Sequence, residues 1–402
     1  MTFNDSVEWL YATQKFGIKL GLENTQRLLS ALGEPQSGLR VIHVAGTNGK
    51  GSVCAIIESI LRSAGYRTGL FTSPHLVDFC ERIRVNGLNV PADFVARGLT
   101  QIRDFSATWE HSPTFFEIVT ALALSFFSQE KCEIVILETG MGGRLDATNV
   151  VEPLVSVLTP ISLDHERWLG SSLAEIAAEK AGIIKQGTPV VSSMQSPEVV
   201  SVFKEAAAAR QTKVTFVSKP FERVVIGLVG THQKFNAALA VAAIYRAGLE
   251  VSQEAIDQGL AEVSWPGRFQ IFDDHYVLDG AHNPAGTAQL VDTWRENFGE
   301  EKPIVIFGAL MEKDASGMLV CLQEIASQIY FVPVDSDRTL STEELHKNIP
   351  AEGPESFVCA SLLEALEKTA GEKQVLITGS LFLIGEVLSV LQKGASPRRS
   401  SQ

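Results

Sequence analysis

The sequence is poor in cysteine, and its few cysteines do not form a recognisable pattern. Its 402 residues contain five, an odd number with no Cys-x-x-Cys pair: Cys54, Cys80, Cys132, Cys321 and Cys359. This pattern favours a reducing compartment and buried thiols over a disulfide framework or a zinc site. The segment 1–10 also lacks the basic, apolar and small-residue order of a signal peptide. We therefore expect a cytoplasmic protein.

Long uninterrupted apolar runs are also absent. The longest apolar stretch, 375–391, is broken by Gly379, Ser380, Gly385 and Glu386. A membrane span needs roughly 20 nearly uncharged residues, so this stretch predicts a strand, a turn and a helix. We expect no contact with a membrane.

Basic charge is in deficit. There are 34 basic and 47 acidic side chains, which gives a formal net charge of −13. A surface that neutralises nucleic-acid phosphates must be basic, so the balance argues against a nucleic-acid partner. A small anionic ligand remains compatible, since one helix N-terminus can hold it. An apolar content of 45% is ample for a core, and the length predicts two or three domains.

The first half of the chain alternates short apolar runs with longer helical patterns. Non-alternating apolar strands separated by helices are typical of a parallel sheet covered on both faces. The predicted strands are Arg40–Ala45, Thr68–Phe71, Glu133–Leu137 and Leu154–Leu158, and the predicted helices are Val53–Ala64, Phe116–Ser128 and Ala174–Ala181.

A second alternation begins after the break at Trp265-Pro266-Gly267. Its predicted strands are Tyr276–Leu278, Ile304–Phe307, Gln328–Val332 and Val375–Thr378, with helices at Ala285–Phe298, Thr342–Asn348 and Ala360–Thr369. The fold class is therefore α/β, with an N-terminal P-loop domain built on a mostly parallel sheet and a smaller, Rossmann-like C-terminal α/β domain. We expect the domains to span 1–270 and 271–393. The polar tail 394–402 is expected to be disordered.

A glycine-rich loop follows the first predicted strand and precedes an apolar helix. Its residues are Gly46, Thr47, Asn48, Gly49, Lys50, Gly51 and Ser52. In this context, backbone N–H groups and the helix N-terminus hold phosphate oxygens. Lys50 would neutralise the β- and γ-phosphates, and Ser52 could reach Mg2+. The spacing departs from the strict Walker form, and the alternative is a tight turn that merely needs glycine. The loop predicts binding of a nucleoside triphosphate.

Four further segments lie at or near strand ends, where ligands bind in parallel sheets. Glu138 beside the phosphate loop is a natural Mg2+ ligand, although it could instead cap a helix or form a salt bridge. Ser73 alone would suggest an ordinary Ser-Pro turn. His165 alone would suggest a hydrogen-bonded structural residue. Lys180 alone would suggest an exposed surface lysine.

Together these segments resemble the folylpolyglutamate synthase/dihydrofolate synthase family, within the Mur-type ATP-dependent ligases. The similar stretches keep one order along most of the chain, which makes the resemblance more specific than any one motif. They are AGTNGKGS (45–52), TSPHL (72–76), ERIRVNG (81–87), LETGMGGRLDATN (137–149), ISLDHERWLG (161–170), EKAGI (179–183), HQKFNAALA (232–240), WPGRFQ (265–270) and LDGAHNP (278–284).

The resemblance implies roles for individual residues. Two Mg2+ ions would be held by Ser73, Glu138 and His165. Lys180 would carry a CO2-derived carbamate, and Lys50, Lys180 and His282 would be catalytic. ATP would be bound by the loop residues from Thr47 to Ser52 and by three later residues, namely Asn236, Arg268 and Asp279. His282 and Asn283 would approach the incoming glutamate.

The resemblance also implies three pterin-binding segments. They are the early loop Leu20, Gly21 and Leu22, the segment Thr114, Phe115, Phe116 and Glu117, and the loop Leu145, Asp146 and Ala147. Aromatic faces and a carboxylate suit a flat heterocycle. The alternative for Phe115 and Phe116 is core packing along a helix face.

The predicted function is ATP-dependent ligation of L-glutamate to 7,8-dihydropteroate and to the γ-carboxylate of tetrahydrofolates, through an acyl phosphate. We expect small-molecule partners only and a monomer. A folylpolyglutamate synthase without the dihydropteroate activity stays open. So do a muropeptide ligase, a kinase or switch-type NTPase, and a non-catalytic nucleotide-binding module. Only about 40 residues precede the first strand, which is short for the extra domain of a muropeptide ligase.

Overall fold

Two parallel-dominated sheets, each covered by helices, organise the chain. The computed structural model describes residues 1–16, 21–349 and 353–392. The predicted α/β fold class is confirmed. Leu20 and the tail 394–402 lie outside the described residues. No helix in the described part is both long and apolar enough to cross a membrane.

The first sheet has eight strands. They are β1 (Val41–Ala45), β2 (Thr68–Phe71), β3 (Ile83–Val85), β4 (Leu88–Asn89), β5 (Ile134–Glu138), β6 (Pro153–Leu158), β7 (Val190–Ser193) and β8 (Val214–Val217). Their spatial order is β4-β3-β2-β5-β1-β6-β7-β8. Pairings are parallel except for β2 with β3 and β3 with β4. The predicted strand Thr68–Phe71 has the observed bounds, whereas the antiparallel hairpin was not predicted.

Helices cover both faces of this sheet. They are α1 (Phe3–Ala12), α2 (Glu23–Ala31), α3 (Lys50–Ser63), α4 (Ala92–Ser106), α5 (Phe115–Gln129), α6 (Glu166–Leu169), α7 (Leu173–Ala181), α8 (Pro197–Ala209), α9 (Thr231–Arg246) and α10 (Gln253–Glu262). Strand β1 shows why helices must cover both faces of the sheet: its apolar side chains point to both. Val41 packs into one apolar cluster with α4 and α5, while Ile42 and Val44 pack into another with α3 and α9.

The second sheet has six strands. They are β9 (Gln270–Phe272), β10 (Tyr276–Leu278), β11 (Ile304–Phe307), β12 (Gln328–Phe331), β13 (Glu355–Val358) and β14 (Val375–Thr378). Their order is β13-β12-β11-β14-β10-β9, and only β9 is antiparallel. The helices are α11 (Pro284–Phe298), α12 (Ala315–Leu322), α13 (Thr342–Lys347), α14 (Leu362–Lys368) and α15 (Leu381–Leu391). The predicted strands at 276–278, 304–307 and 375–378 are confirmed; β9, β13 and α12 were missed.

The carboxyl ends of the central strands meet at one edge of the first sheet. Val44 of β1 pairs with Glu138 of β5, and Ala45 pairs with Leu158 of β6. The segments that follow these strands therefore emerge side by side. Asn48 follows β1, and Asn283 follows β10 of the second sheet. Hydrogen bonds between these two side chains show that the carboxyl edge of the second sheet faces the segments at the edge of the first.

Candidate functional site

The phosphate loop joins β1 to α3, and two of its glycines are required by geometry. Gly49 precedes α3 with φ +85°, in the left-handed region. Gly46 has φ +152°, and a Cβ there would lie 1.8 Å from Thr159 Oγ1. No side chain caps the start of α3. Its first N–H groups therefore remain available to an anion, as the sequence predicts.

Neighbouring segments hold the loop in place. Thr47 Oγ1 donates to the carbonyl of Ser162 at 3.1 Å and accepts from the Ser162 N–H at 3.2 Å. Lys50 Nζ lies over the loop and donates to the Thr47 carbonyl at 3.1 Å. On the α9 side, Gln233 Nε2 donates to Ser52 Oγ at 3.4 Å, and Asn236 Nδ2 donates to Gln233 at 2.9 Å. Asn236, predicted to contact nucleotide, thus lies beside the loop.

Glu138 ends β5 as a buried carboxylate. Its Oε2 accepts from the Ser73 N–H at 3.1 Å, so the structure brings these two predicted metal ligands together. Burial raises the pKa of Glu138, and the nearby cations Lys50, Arg268 and Arg82 oppose that rise. A buried carboxylate that is not neutralised by a direct ion pair is suited to a cationic ligand.

Lys180 is buried, so the surface interpretation of this residue is wrong. It lies on α7, and its Nζ donates to the carbonyl of Gly46 at 2.8 Å. Desolvation, reinforced by the charge of Lys50, lowers the pKa of Lys180 to about 7. A large fraction of this amine is therefore neutral near neutral pH. We call Lys50, Ser73, Glu138 and Lys180 the sheet-edge cluster.

His165 is not hydrogen-bonded to the other two predicted metal ligands. Its imidazole Nε2 lies 4.0 Å from Asp164 Oδ2, and desolvation lowers its pKa to about 4. The neutral ring is in the form that binds metals. Among the described residues, no three His, Cys, Asp or Glu side chains form a metal-binding group. Mg2+ typically uses one or two carboxylates and completes its shell with waters and phosphate oxygens.

A second cluster lies between the two sheets. Asp164, which follows β6, accepts from Lys313 Nζ at 2.7 Å and from Asn283 Nδ2 at 3.3 Å. Asn283 also exchanges two hydrogen bonds with Asn48, at 3.0 and 3.2 Å. Lys313 holds the pKa of Asp164 well below its usual value, despite burial. We call Asn48, Asp164, His282, Asn283 and Lys313 the junction cluster.

His282 is held as a neutral imidazole in the junction cluster. Its Nδ1 donates to the Gly280 carbonyl at 2.8 Å, which leaves the Nε2 lone pair 3.8 Å from Asp164 Oδ2. Desolvation, assisted by Lys313, lowers the pKa of His282 to about 3. The structure therefore places this predicted catalytic residue where the two sheets meet.

Arg268 and Asp279 lie on the segments that lead into and out of the first strands of the second sheet. Asp279 accepts from the N–H groups of Phe269 and Ala281, both at 2.8 Å, and burial raises its pKa. Arg268 lines a cavity between the two sheets together with Ser73 and Glu138. Arg268, one of the predicted nucleotide contacts of the second domain, thus faces the sheet-edge cluster.

The predicted pterin segment at 114–117 begins helix α5. Thr114 and Glu117 form a capping box, in which Glu117 Oε2 accepts from the Thr114 N–H at 2.6 Å. Phe115 is buried and stacks on Tyr11 with ring centroids 5.7 Å apart, as the core-packing alternative expects. Phe116 is only half-buried. A pterin contact by this segment stays a prediction.

The third predicted pterin loop is organised by Asp146. Its Oδ2 accepts from the N–H groups of Gly140 and Met141, both at 2.9 Å, and its Oδ1 accepts from the N–H of Thr148 at 3.0 Å. His43 Nε2 lies 2.8 Å from Thr148 Oγ1. The Asp146 carboxylate therefore shapes the glycine-rich turn. The other members of these segments, Gly21, Leu22, Leu145 and Ala147, are half-buried or buried.

Two residues of the site were not identified from the sequence. Asp164 was noted only as part of the similar stretch 161–170, and Lys313 was assigned no role. Both follow strands of parallel sheets, β6 and β11, and this position was the available signal. Their pairing could not be read from the sequence, because 149 residues separate them.

Comparison with known proteins agrees with this geometry. Residues 44–244 match the Mur ligase middle domain, and residues 267–381 match the Mur ligase glutamate ligase domain. The chain is 36% identical to the dihydrofolate synthase/folylpolyglutamate synthase of Bacillus subtilis, covering 96% of this chain and 98% of that protein. It is 32% identical to the folylpolyglutamate synthase of Lacticaseibacillus casei, covering 98% and 100%.

Solved structures are similar along nearly the whole chain. The Escherichia coli FolC structure in complex with DHPP and ADP superimposes with a TM-score of 0.88 at 32% identity, covering 96% of this chain and 97% of that one. The Mycobacterium tuberculosis folylpolyglutamate synthase complexed with ADP gives a TM-score of 0.90 at 28% identity, covering 98% and 100%.

Proposed function

The chain belongs to the dihydrofolate synthase/folylpolyglutamate synthase family of Mur ligases, and we propose that it uses two acceptors, 7,8-dihydropteroate and tetrahydrofolates. It is an ATP-dependent, amide-bond-forming ligase that adds glutamate to folates. One observation carries the proposal: the phosphate loop, the buried Glu138 and the buried Lys180 share one sheet edge, and the second sheet covers that edge.

ATP is the nucleotide substrate, and we assign its phosphates to the loop. Thr47, Asn48, Gly49, Lys50, Gly51 and Ser52 would hold them through backbone N–H groups, the Lys50 ammonium and the Ser52 hydroxyl. Asn236 lies beside Gly49 of this loop, and Arg268 lines a cavity together with Gly51. Asp279 directly follows β10 of the second sheet. These three residues would complete the nucleotide site.

The residues present fit Mg2+. Glu138 is a buried carboxylate, Ser73 is hydrogen-bonded to it, and His165 is a neutral imidazole on the adjacent loop. These three residues would hold the metal, two ions being expected, with phosphate oxygens as further ligands. When bound, Mg2+ neutralises charge on the phosphates during transfer.

Lys180 fits the proposed carbamate. Only a neutral amine captures CO2, and burial lowers the pKa of Lys180 to about 7. Capture would form a bond between the neutral amine nitrogen and the carbon of CO2 and release one proton, which would leave an oxygen anion on the sheet-edge cluster, close to the Lys50 charge. The hydrogen bond to the Gly46 carbonyl would keep the modified side chain directed at the phosphate loop.

The reaction proceeds in two steps. The acceptor carboxylate oxygen bonds to the γ-phosphorus while the bond to the β–γ bridging oxygen breaks, which gives an acyl phosphate and ADP. The glutamate amine then bonds to the acyl carbon, phosphate leaves, and the nitrogen loses a proton. Lys50 and the N-terminus of α3 stabilise the charge on the phosphates. Contact between the two sheets orients the substrates and excludes water from the acyl phosphate.

We propose that the acceptor's pterin ring is bound by the three segments 20–22, 114–117 and 145–147. His282 and Asn283 would approach the glutamate from the second domain. The proposed domains, 1–270 and 271–393, would close on the substrates. We propose a monomer in the cytoplasm, because one chain supplies every site residue and its five cysteines are free.

The decisive experiment measures ADP release by the purified chain with Mg-ATP and L-glutamate. Dihydropteroate and tetrahydrofolate are compared as acceptors, and the products are weighed by mass spectrometry. Each acceptor should gain one glutamate residue. Inactivity with both would refute the assignment, and muropeptide precursors would be tested next.

The second candidate is a folylpolyglutamate synthase without the dihydropteroate activity. The similarity to the Lacticaseibacillus casei folylpolyglutamate synthase along 98% of the chain favours it. Turnover with tetrahydrofolate alone would establish it and would remove the proposed pteroate role of segments 20–22 and 114–117.

A further inference from the structure

Asn149 is a buried amide in the segment between β5 and β6. Its Nδ2 donates to two backbone carbonyls, that of Arg144 at 3.0 Å and that of Gly182 at 3.1 Å. Both carbonyls can only accept, so they fix which end of the amide faces them. Arg144 belongs to the glycine-rich turn that follows Glu138, and Gly182 directly follows α7. One side chain therefore joins two segments that are separate along the chain.

The backbones of these two segments are also in direct contact. The Arg144 N–H donates to the Glu179 carbonyl at 2.8 Å. A Cβ on Gly143 would lie 2.8 Å from the Lys180 carbonyl oxygen. A Cβ on Gly182 would lie 2.4 Å from Arg144 Cα. Only glycine at these two positions permits so close an approach. The turn therefore packs directly against the last turn of α7.

The end of α7 needs such contacts, because the last carbonyls of a helix have no hydrogen-bond partner inside it. The turn supplies donors from outside: the Glu179 carbonyl accepts from the Arg144 N–H, and the Gly182 carbonyl accepts from Asn149. Loss of the Asn149 amide would leave two carbonyls without this donor. Water would then compete for them, and the last turn of α7 would fray.

Lys180 lies in that last turn, one residue before the end of α7. Its buried Nζ donates to the Gly46 carbonyl at 2.8 Å, at the start of the phosphate loop. A lysine side chain is long and flexible, so the position of its amine depends on where the backbone that carries it is held. Fraying of this turn would move the Lys180 amine away from the loop.

The uncharged state of the Lys180 amine depends on the same packing. Desolvation is the largest influence and lowers its pKa to about 7. Two cations assist this fall and two carboxylates oppose it, namely Lys50, Lys313, Asp164 and Asp146. Water admitted by fraying would return the pKa towards the ordinary value of a lysine.

We propose that Asn149 is a positioning residue for Lys180. By joining the turn after Glu138 to the last turn of α7, it holds the Lys180 amine in its desolvated position at the phosphate loop. This inference rests on the proposed function, in which Lys180 acts at the phosphates of ATP. It assigns to Asn149 no contact with ATP, with glutamate or with the acceptor.

The first measurement uses the intact chain without substrates or metal. Denaturant titrations between pH 7 and 10.5 compare the wild type with Asn149→Ala. Wild-type stability should rise across this window, because the folded chain has lost the Lys180 proton that the unfolded chain still binds. In Asn149→Ala the folded pKa of Lys180 should be higher, so the rise should begin about one pH unit later and be smaller.

The second measurement is a double-mutant cycle on turnover with Mg-ATP, L-glutamate and tetrahydrofolate. Asn149→Ala should lower kcat about 10-fold, since a small displacement of a catalytic group is costly. In the Lys180→Met background the same change should have little further effect, because Asn149 then has no amine to position. The KM values for ATP and for tetrahydrofolate should stay unchanged.

Arg144→Met is the matched control. Arg144 belongs to the same turn, and its side chain, 56% exposed, forms an ion pair with Glu179 of α7 at 2.8 Å. Exposed ion pairs contribute little, and the backbone contacts of Arg144 are kept. Turnover and the pH dependence of stability should match the wild type. Asn149→Ser keeps a hydroxyl donor and should give intermediate values, which provides a milder variant if Asn149→Ala does not fold.

Three results would overturn the inference. Equal losses of kcat with and without the Lys180 amine would show that Asn149 acts independently of it. A wild-type pH dependence of stability in both Asn149 variants would show that the amine stays in place. A raised KM for tetrahydrofolate with unchanged kcat would assign Asn149 to the neighbouring loop 145–147. If the wild-type chain ligates neither acceptor, the proposed function fails, and the stability comparison still decides whether Asn149 positions Lys180.

Discussion

The sheet-edge cluster and the junction cluster are built in different ways. Glu138 and Lys180 of the sheet-edge cluster are fixed by one sheet and the helices packed on it, through hydrogen bonds to Ser73 and Gly46. The junction cluster exists only where the two sheets meet, because Asp164 comes from one and Lys313 from the other. The first should therefore control phosphate chemistry, and the second the closed arrangement of the domains.

The largest effect is expected from Glu138→Gln, which removes a carboxylate from the sheet-edge cluster. The amide oxygen can still accept from the Ser73 N–H, so the fold should be preserved. ADP formation should fall by at least about 1,000-fold, because metal-assisted charge stabilisation is lost. Single-turnover ADP release and circular dichroism would measure the two effects. Retained turnover would contradict the metal assignment.

Lys180→Met tests the second member of that cluster and should lower turnover on the order of 100-fold. It should also change the pH dependence of stability. Between pH 7 and 10.5 the unfolded chain binds a proton at Lys180 that the folded chain has lost, so wild-type stability should rise with pH across this window. Below pH 7 Lys180 is protonated in both the folded and the unfolded chain, and the full free-energy cost of burying its charge remains. Denaturant titrations of both proteins should show this rise, by up to a few kcal/mol, in the wild type alone.

Lys313→Met tests the junction cluster. It leaves the Asp164 carboxylate without its ion-pair partner. Breaking a buried pair in this way lowers the free energy of unfolding by about 3–5 kcal/mol when no other group compensates. Asn283 still donates to Asp164, so we expect a smaller loss, roughly 10-fold in kcat/KM. ATP-analogue affinity measured by calorimetry should change less than turnover. An effect as large as that of Glu138→Gln would erase the distinction between the clusters.

The smallest effect is expected from the amide pair between Asn48 and Asn283. Each side chain donates to the other, so Asn48→Ala, Asn283→Ala and the double variant form a mutant cycle. The coupling energy should be about 1 kcal/mol. Asn283 also caps α11 by accepting from the Gly286 N–H, and the cycle subtracts that separate contribution. Zero coupling would show that the two domains do not approach in solution as they do here.

Local sequence patterns predicted much of the fold. Four predicted strands, 68–71, 276–278, 304–307 and 375–378, have the observed bounds, because continuous apolar residues between turns suit strands buried on both faces. The prediction failed where apolar residues were few. Strand β4 consists of two residues, and both are exposed. All four residues of β13 are half-buried or exposed, so neither strand carries a strong apolar signal. Helix α3 begins three residues before the prediction, since Gly49 rather than an apolar residue marks its start.

The candidate site likewise contains residues with a local sequence signal and residues without one. Gly46 to Ser52 and Glu138 were identified from the sequence, because their roles depend on a strand end and a helix start that lie next to them in the chain. Lys180 on a helix and Arg82 before a strand carry no such local signal. Burial distinguishes them from surface residues, and it is set by elements distant in the sequence.

The sequence by itself thus determined the strand ends and the phosphate loop, because these depend on residues that are close in the chain. It also carried the resemblance that located the reaction, through motifs that keep one order along most of the chain. Only the tertiary structure decided that Lys180 is removed from solvent, that Arg82 is buried, and that Asp164 contacts Lys313 across 149 residues of chain. Desolvation and charge pairing act through space, so they follow from the packing of the sheets rather than from spacing along the chain.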